Sequence, residues 1–218
     1  MANNFDVEKA INDIKSFFGN YGDRIRKKQL HLKSRPSHIF ETYVYFKLAE
    51  RLNRPLGNVS ISNCTNYFEI KTSPFGDPRN YSFFDVADVN GRERYLLKDQ
   101  NINSSIFATF NVDVVLSNYR PKIFLQSNEV YSFMECKHFA SISASKFSEF
   151  KGIAQDIFPK AFNPNYKQNY PKPSLVTSGK ANSKSAINEI SHYTMNFHLD
   201  FFQNVSASMR LNPFERWI

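Results

Sequence analysis

The stretches Phe110-Asn-Val-Asp-Val-Val-Leu116 and Tyr131-Ser-Phe-Met-Glu-Cys-Lys-His138 decide how the rest of the chain is read. Both are short and rich in β-branched and aromatic residues, the composition of strands. Side chains alternate between the faces of a strand, so Tyr131, Phe133, Glu135 and Lys137 share one face while Ser132, Met134, Cys136 and His138 share the other. Glu135 and Lys137 therefore stand side by side. In the first strand Asp113 interrupts an otherwise hydrophobic run. Burying a lone carboxylate costs roughly several kcal/mol unless a cation or hydrogen bonds compensate. Two acids and one amine converging at strand ends make a site for a divalent metal.

Upstream, Ser37 follows Pro36 and reads as the cap of a helix running to about Asn53. Glu41, Val44, Tyr45, Leu48 and Leu52 fall on one stripe of that helix, so Glu41 is aligned with core residues whereas Glu50 is not. A first-turn acid also complements the helix dipole; beside Asp113 and Glu135, Glu41 reads as a third acid of the site. Before it, residues 4 to 18 put Val7, Ala10, Ile11, Ile14, Phe17 and Phe18 on a helical stripe that stops at Gly19-Asn20. A basic segment follows, with Arg24, Arg26, Lys27, Lys28, Lys33 and Arg35, suited either to phosphate contact or to a solvated face.

Between the helix and the two strands, Tyr67 to Thr72 reads as a strand with a second Glu-x-Lys, Glu69 and Lys71. It is a decoy, because no carboxylate-bearing apolar strand precedes it at short range. Tyr81 to Val89 and Tyr95 to Leu97 read as strands about an Asn90-Gly91 turn, with Asp85 and Asp88 on the solvent face. Ile123 to Leu125 is a candidate short strand. Downstream, Ser143 to Phe158 is a helix ended by Pro159, Ser174 to Thr177 a short strand, and Ser183 to Val205 an amphipathic helix. The order predicts an α/β fold with a central mixed sheet flanked by helices.

The totals narrow the function classes. A chain of 218 residues with 41% hydrophobic and 16% aromatic residues folds around a sizeable core. Its net charge of +8 suits a polyanionic partner. The two cysteines, Cys64 and Cys136, lack any Cys-x-x-Cys or Cys/His spacing, which argues against a disulfide framework and a structural zinc site. His138, His192 and His198 show no zinc spacing either, and read as surface or satisfied core histidines. The absence of a long apolar run and of a signal peptide predicts a cytoplasmic protein without a membrane partner.

Asp113, then Glu135-Cys-Lys137 on the next strand, resembles the active-site signature of the PD-(D/E)xK nuclease superfamily, the restriction-endonuclease-like fold. The resemblance covers roughly residues 37 to 180. It implies a single nuclease domain over 1–218, with an amino-terminal helix and basic segment (1–36), a catalytic core (37–180) and a carboxy-terminal helix and tail (181–218). It carries Asp113, Glu135, Lys137 and Glu41 over as catalytic residues. It also implies a Mg²⁺ centre, with Mn²⁺ as a substitute, held by Asp113, Glu135, the Cys136 backbone carbonyl and Glu41. Lys137 would orient or deprotonate the attacking water, or stabilise developing charge. Val112 stands where the family's name has Pro, and Pro159 stands where a RecB-type helix would have Tyr.

The expectation is therefore a Mg²⁺-dependent DNA endonuclease of the restriction or phage-defence kind, a homodimer, with Lys180 and the basic segment contacting nucleic acid. RNA as substrate stays open, as does a catalytically silent nucleic-acid-binding module of the same fold.

Overall fold

The computed structural model describes residues 5–19, 35–56, 59–64, 67–73, 75–87, 91–104, 106, 108–163, 165 and 171–206. In chain order its helices are α1 (Val7–Gly19), α2 (Pro36–Leu56), α3 (Ala144–Ile157) and α4 (Lys184–Asn196). Its strands are β1 (Val59–Ser62), β2 (Phe83–Ala87), β3 (Glu93–Asn103), β4 (Thr109–Ser117), β5 (Leu125–Gln126), β6 (Val130–Lys137), β7 (Ser141–Ile142), β8 (Ser174–Thr177), β9 (Lys180–Ala181) and β10 (Asp200–Phe202).

The main sheet has eight strands in the order β1-β2-β3-β4-β6-β8-β10, with β5 paired to β3 off that path. Pairing is antiparallel from β1 through β6, then parallel from β6 to β8 and from β8 to β10. The predicted α/β class and mixed sheet are thus borne out. Neighbouring strand residues bury into opposite faces, as the pleat requires. Phe84, Leu96, Val114, Leu116, Met134, Cys136 and Val176 pack with α1 and α2, while Phe83, Leu97, Val115, Phe133 and Leu175 pack with α3 and α4. The predicted stripe of α2 is buried: Val44, Tyr45 and Leu48 are sealed, and the Tyr45 hydroxyl donates to the Leu96 carbonyl at 3.0 Å, tying the helix to β3.

That alternation slips at one level in both β3 and β4. Val112 and Val115 lie on one side of the sheet although they are three residues apart, as do Leu97 and Ile102 five apart. The β3–β4 register runs unbroken on both sides of the slip, with Lys98 opposite Val114 and Gln100 opposite Val112. Between those pairs lie Asp99 and Asp113. Asp99 has φ of +50°, the left-handed region that an ordinary side chain enters at a cost of about 1–3 kcal/mol.

Five expectations need correction. A register shift in β6, opposite Leu116 and Ser117, puts Tyr131 on the α1/α2 side while Phe133 packs on the α3/α4 side, so the two do not share a face. Helix α2 begins at Pro36, so Ser37 is inside its first turn and not its cap; proline fits there because the first helical N–H groups have no acceptor. Residues 67 to 72 do not form a strand: Ser82 N donates to the Glu69 carbonyl at 2.9 Å and Glu69 N to Ser82 Oγ at 3.0 Å, and Phe68 and Ile70 plug the core. Asp85 is half-buried and accepts a hydrogen bond from the Ser62 hydroxyl, so it is not a solvent-face residue; Asp88 lies outside the described residues. The last helix stops at Asn196 and the chain turns into edge strand β10. Phe201 packs with the α3/α4 side and Phe202 with the α1/α2 side, a period of two that no helix produces.

Beyond Lys137 the chain pairs β7 with β9 in a small parallel sheet. Gly179 makes this crossing close: a Cβ there would lie 2.3 Å from the Phe139 carbonyl oxygen and 2.6 Å from the Ala140 carbonyl. Ser178 N donates to the Lys137 carbonyl at 3.3 Å, so this junction fixes the end of β6. Among the described residues no helix is long and apolar enough to cross a membrane.

Candidate active site

Strand alternation places Glu135 and Lys137 on one face of β6, and they meet there: Lys137 Nζ donates to Glu135 Oε2 at 2.8 Å. The same ammonium lies 3.8 Å from Asp113 Oδ2, which accepts the Cys136 N–H at 2.7 Å. Asp113 on β4 is thus fixed by the backbone of β6 midway between Glu135 and Lys137 in sequence. The Cys136 thiol points into the α1/α2 core, and burial pushes its pKa well up, so it is no nucleophile. Glu41, from the first turns of α2, reaches the same place. One carboxylate oxygen each of Glu41, Asp99 and Asp113 lies within 4.8 Å of the other two. All four residues assigned catalytic roles from the sequence therefore converge.

Sequence reading missed four further participants. Asp99 enters through its left-handed backbone, directly across from Asp113. Lys98, with only 3% of its side chain exposed, places Nζ 2.8 Å from Asp99 Oδ2 and 3.6 Å from Glu41 Oε2. Lys71, buried, donates from Nζ to the Asp99 carbonyl. His38 Nδ1 lies 3.5 Å from Glu41 Oε2. The signal for Lys98 and Asp99 was two opposite charges inside the run Tyr95-Leu-Leu-Lys-Asp-Gln-Asn-Ile102, which has no turn residue to expel them.

Burial governs the electrostatics. It raises Glu41 to about 7, with Asp113 adding to the rise and Lys98 opposing it. It raises Glu135 to about 8, again with Asp113 adding and Lys137 opposing. Asp113 is also raised, by burial against the pull of Lys137 and the Cys136 N–H. For Lys137 burial acts downward, but Glu135 and Asp113 outweigh it and hold the ammonium above its ordinary value. Lys98 is likewise raised, by Asp99 and Glu41 against burial. Burial lowers Lys71.

The donor set fits a hard divalent ion, being carboxylate oxygens from Asp113, Glu135 and Glu41. A second observation points to the same ligand. Glu135 is 3% exposed, and while its Oε2 faces Lys137, its Oε1 is buried without a hydrogen-bond partner among the described residues. A buried carboxylate oxygen without a donor is costly, and a cation removes that cost.

The raised carboxyl groups yield a linked prediction. A carboxylate whose pKa rises on folding stabilises the fold below its unfolded value, near 4.5, and this stability is lost as pH climbs through the folded values near 7 and 8. Melting of the metal-free protein should therefore fall between pH 6 and pH 8.5. Saturating Mn²⁺ should restore it more at pH 8.5 than at pH 6, since a cation favours the ionised acids. An equal Mn²⁺ shift at both pH values would contradict these assignments.

Lys71 separates the site from its decoy. Lys71 supports the Asp99 backbone, whereas Glu69 bonds with Ser82. Lys71 is therefore expected to matter to the centre even though it belongs to the decoy motif. Lys71→Ala leaves a buried carbonyl without its donor, a loss of about 1–3 kcal/mol, and should weaken Mn²⁺ binding; Glu69→Ala should do neither. Calorimetric titration and melting of both variants test this.

Of the residues assigned to nucleic acid, Arg24, Arg26, Lys27, Lys28 and Lys33 lie outside the described residues. Arg35 is exposed immediately before α2, and Lys180 is exposed on β9, just beyond the end of β6. His138 sits edge-on to Phe5 at 5.5 Å between ring centroids, with Nδ1 3.1 Å from Ser178 Oγ, a packed and bonded histidine as expected. Compared with family models, curated proteins and solved structures, the chain matches none.

Proposed function

We propose that this chain is a divalent-metal-dependent nuclease of the restriction-endonuclease-like kind, hydrolysing phosphodiester bonds in DNA. One observation carries the reading. Lys137 bridges Glu135 at 2.8 Å and Asp113 at 3.8 Å, while the other oxygen of buried Glu135 has no hydrogen-bond partner among the described residues. The order α2, β3, β4, β6, α3, β8 supports it, with the helix acid, the strand Asp and the Glu-x-Lys each on the element that the resemblance implies.

Asp113 and Glu135 would hold the ion, with Glu41 within reach of Asp113. A bound Mg²⁺ supplies neutralisation of phosphate charge and lowers the pKa of water at the site. The Cys136 N–H keeps the Asp113 carboxylate from rotating away. Lys137, held protonated by its two acids, serves as a fixed cation for the charge that develops on the phosphate and orients the attacking water. The net charge of +8, Arg35 and Lys180 supply the attraction for a polyanion. Cleavage of both strands by a homodimer follows from the same reading.

The experiment is incubation of the full chain with supercoiled plasmid and, separately, with RNA, in Mg²⁺, Mn²⁺ or EDTA. Nicking that requires metal and is confined to DNA is the expected result. Cleavage of RNA alone would change the substrate class. Salt-sensitive binding without cleavage of either polymer would identify a binding module.

A further inference from the structure

Glu41, Asp99 and Asp113 look like a cage for a cation in their own right, with one oxygen of each within 4.8 Å of the others. That cage already has an occupant. Lys98 Nζ lies 2.8 Å from Asp99 and 3.6 Å from Glu41, distances suited to an ammonium ion and its carboxylates. The backbone is shaped to make this pairing. Adjacent residues of a regular strand point to opposite faces, so Lys98 and Asp99 could not meet. The left-handed turn at Asp99, with φ of +50°, brings them together, and Lys71 holds the Asp99 carbonyl.

On the Asp113–Glu135 side the balance differs. Lys137 serves one oxygen of Glu135, and the other is buried without a hydrogen-bond partner among the described residues. Resting on the reading of this site as a metal centre, we infer that the Lys98 ammonium stands where a second divalent ion would bind, so that the centre takes one ion only, between Asp113 and Glu135. Charge agrees with this. With every group ionised, the carboxylates of Glu41, Asp99, Asp113 and Glu135 exceed the ammonium groups of Lys71, Lys98 and Lys137 by a single negative charge. One divalent ion turns that into a single positive charge, the complement of one phosphodiester. Two ions would leave three positive charges in a largely buried site.

The test counts ions and does not depend on cleavage. Mn²⁺ binding to the full chain is measured by calorimetric titration and by the loss of the free-ion paramagnetic resonance signal. The wild type should bind one ion, Lys98→Arg one, and Lys98→Ala two, the second filling the vacated cage. A second pair of changes, Lys98→Met with Asp99→Asn, removes Lys98 with its nearest carboxylate, keeps the net charge of the cluster unchanged, and should bind one ion. Two ions in the wild type, or one in folded Lys98→Ala, would overturn the inference while leaving the metal centre intact. No ion bound by the wild type would overturn the metal centre itself, and the inference with it.

Discussion

Lys137→Ala should slow DNA cleavage by about 10³-fold, the scale on which removing one fixed donor from a developing negative charge acts. The loss should fall on the chemical step, because Asp113 and Glu135 remain to hold the ion. Single-turnover cleavage at saturating Mn²⁺ separates that step from metal binding. A structural lysine would give a different pattern, and pH distinguishes the two. In the wild type the unfolded Glu135 ionises above about 4.5 while the folded residue keeps its proton to about 8. The stability penalty grows over that interval and then stops. Without Lys137, burial acts on Glu135 unopposed by its closest cation, so the proton is held higher and the penalty keeps growing above pH 8. Melting of the variant should match wild type at pH 6 and fall below it at pH 9, both without metal. Unchanged cleavage, or an equal melting deficit at both pH values, would make Lys137 a structural cation and remove it from the chemistry.

The parts of the site legible in the sequence were those that obey regular periods. Glu135 and Lys137 could be paired because β6 alternates regularly from Phe133 to its last residue. Glu41 could be aligned because α2 buries the predicted stripe of Val44, Tyr45, Leu48 and Leu52. The helix read over Ser143 to Phe158 is α3, with Ser143 standing just before it as the cap and accepting from Lys146 N, and Ser174 to Thr177 is the strand expected.

What stayed hidden departs from those periods. The reading of a strand at Tyr95 to Leu97 ended at Lys98, because a polar run after Leu97 looks like the end of a buried strand. β3 nevertheless continues to Asn103. Its polar residues can be interior because each finds a partner: Lys98 takes Asp99 and Glu41, and Gln100 Nε2 donates to the Asn101 and Lys122 carbonyls at 3.1 and 2.8 Å. No local pattern announces those partners, since Glu41 and Lys122 are remote in sequence. Lys71 was hidden for the opposite reason. It sits on a segment that is not a strand, so reading Glu69 and Lys71 as a strand motif said nothing of where the lysine reaches.

Phe84→Ala should produce the largest loss of stability, about 3–5 kcal/mol, the range for removing a sealed phenylalanine ring. Phe84 has no exposure and sits at the centre of an aromatic group on the α1/α2 side of the sheet. Its ring stacks on Phe68 at 5.1 Å and meets Tyr45 at 5.3 Å, Phe46 at 5.8 Å and Phe17 at 5.8 Å. Those partners come from α1, α2 and the segment before β2, so the hole left by truncation cannot close by the shift of a single side chain. For a chain of this size the loss corresponds to a melting point lower by about 10 °C. The ion should be bound nearly as before. Asp113 and Glu135 lie on β4 and β6, and β3 separates β2 from them, so the register that sets their spacing does not run through Phe84. Melting and Mn²⁺ titration of the same preparation, well below its transition, test both halves. A loss below about 1 kcal/mol would mean that the aromatic group is loosely packed. A lost ion in protein that is still folded would mean instead that the position of α2, and with it Glu41, is what holds the centre together.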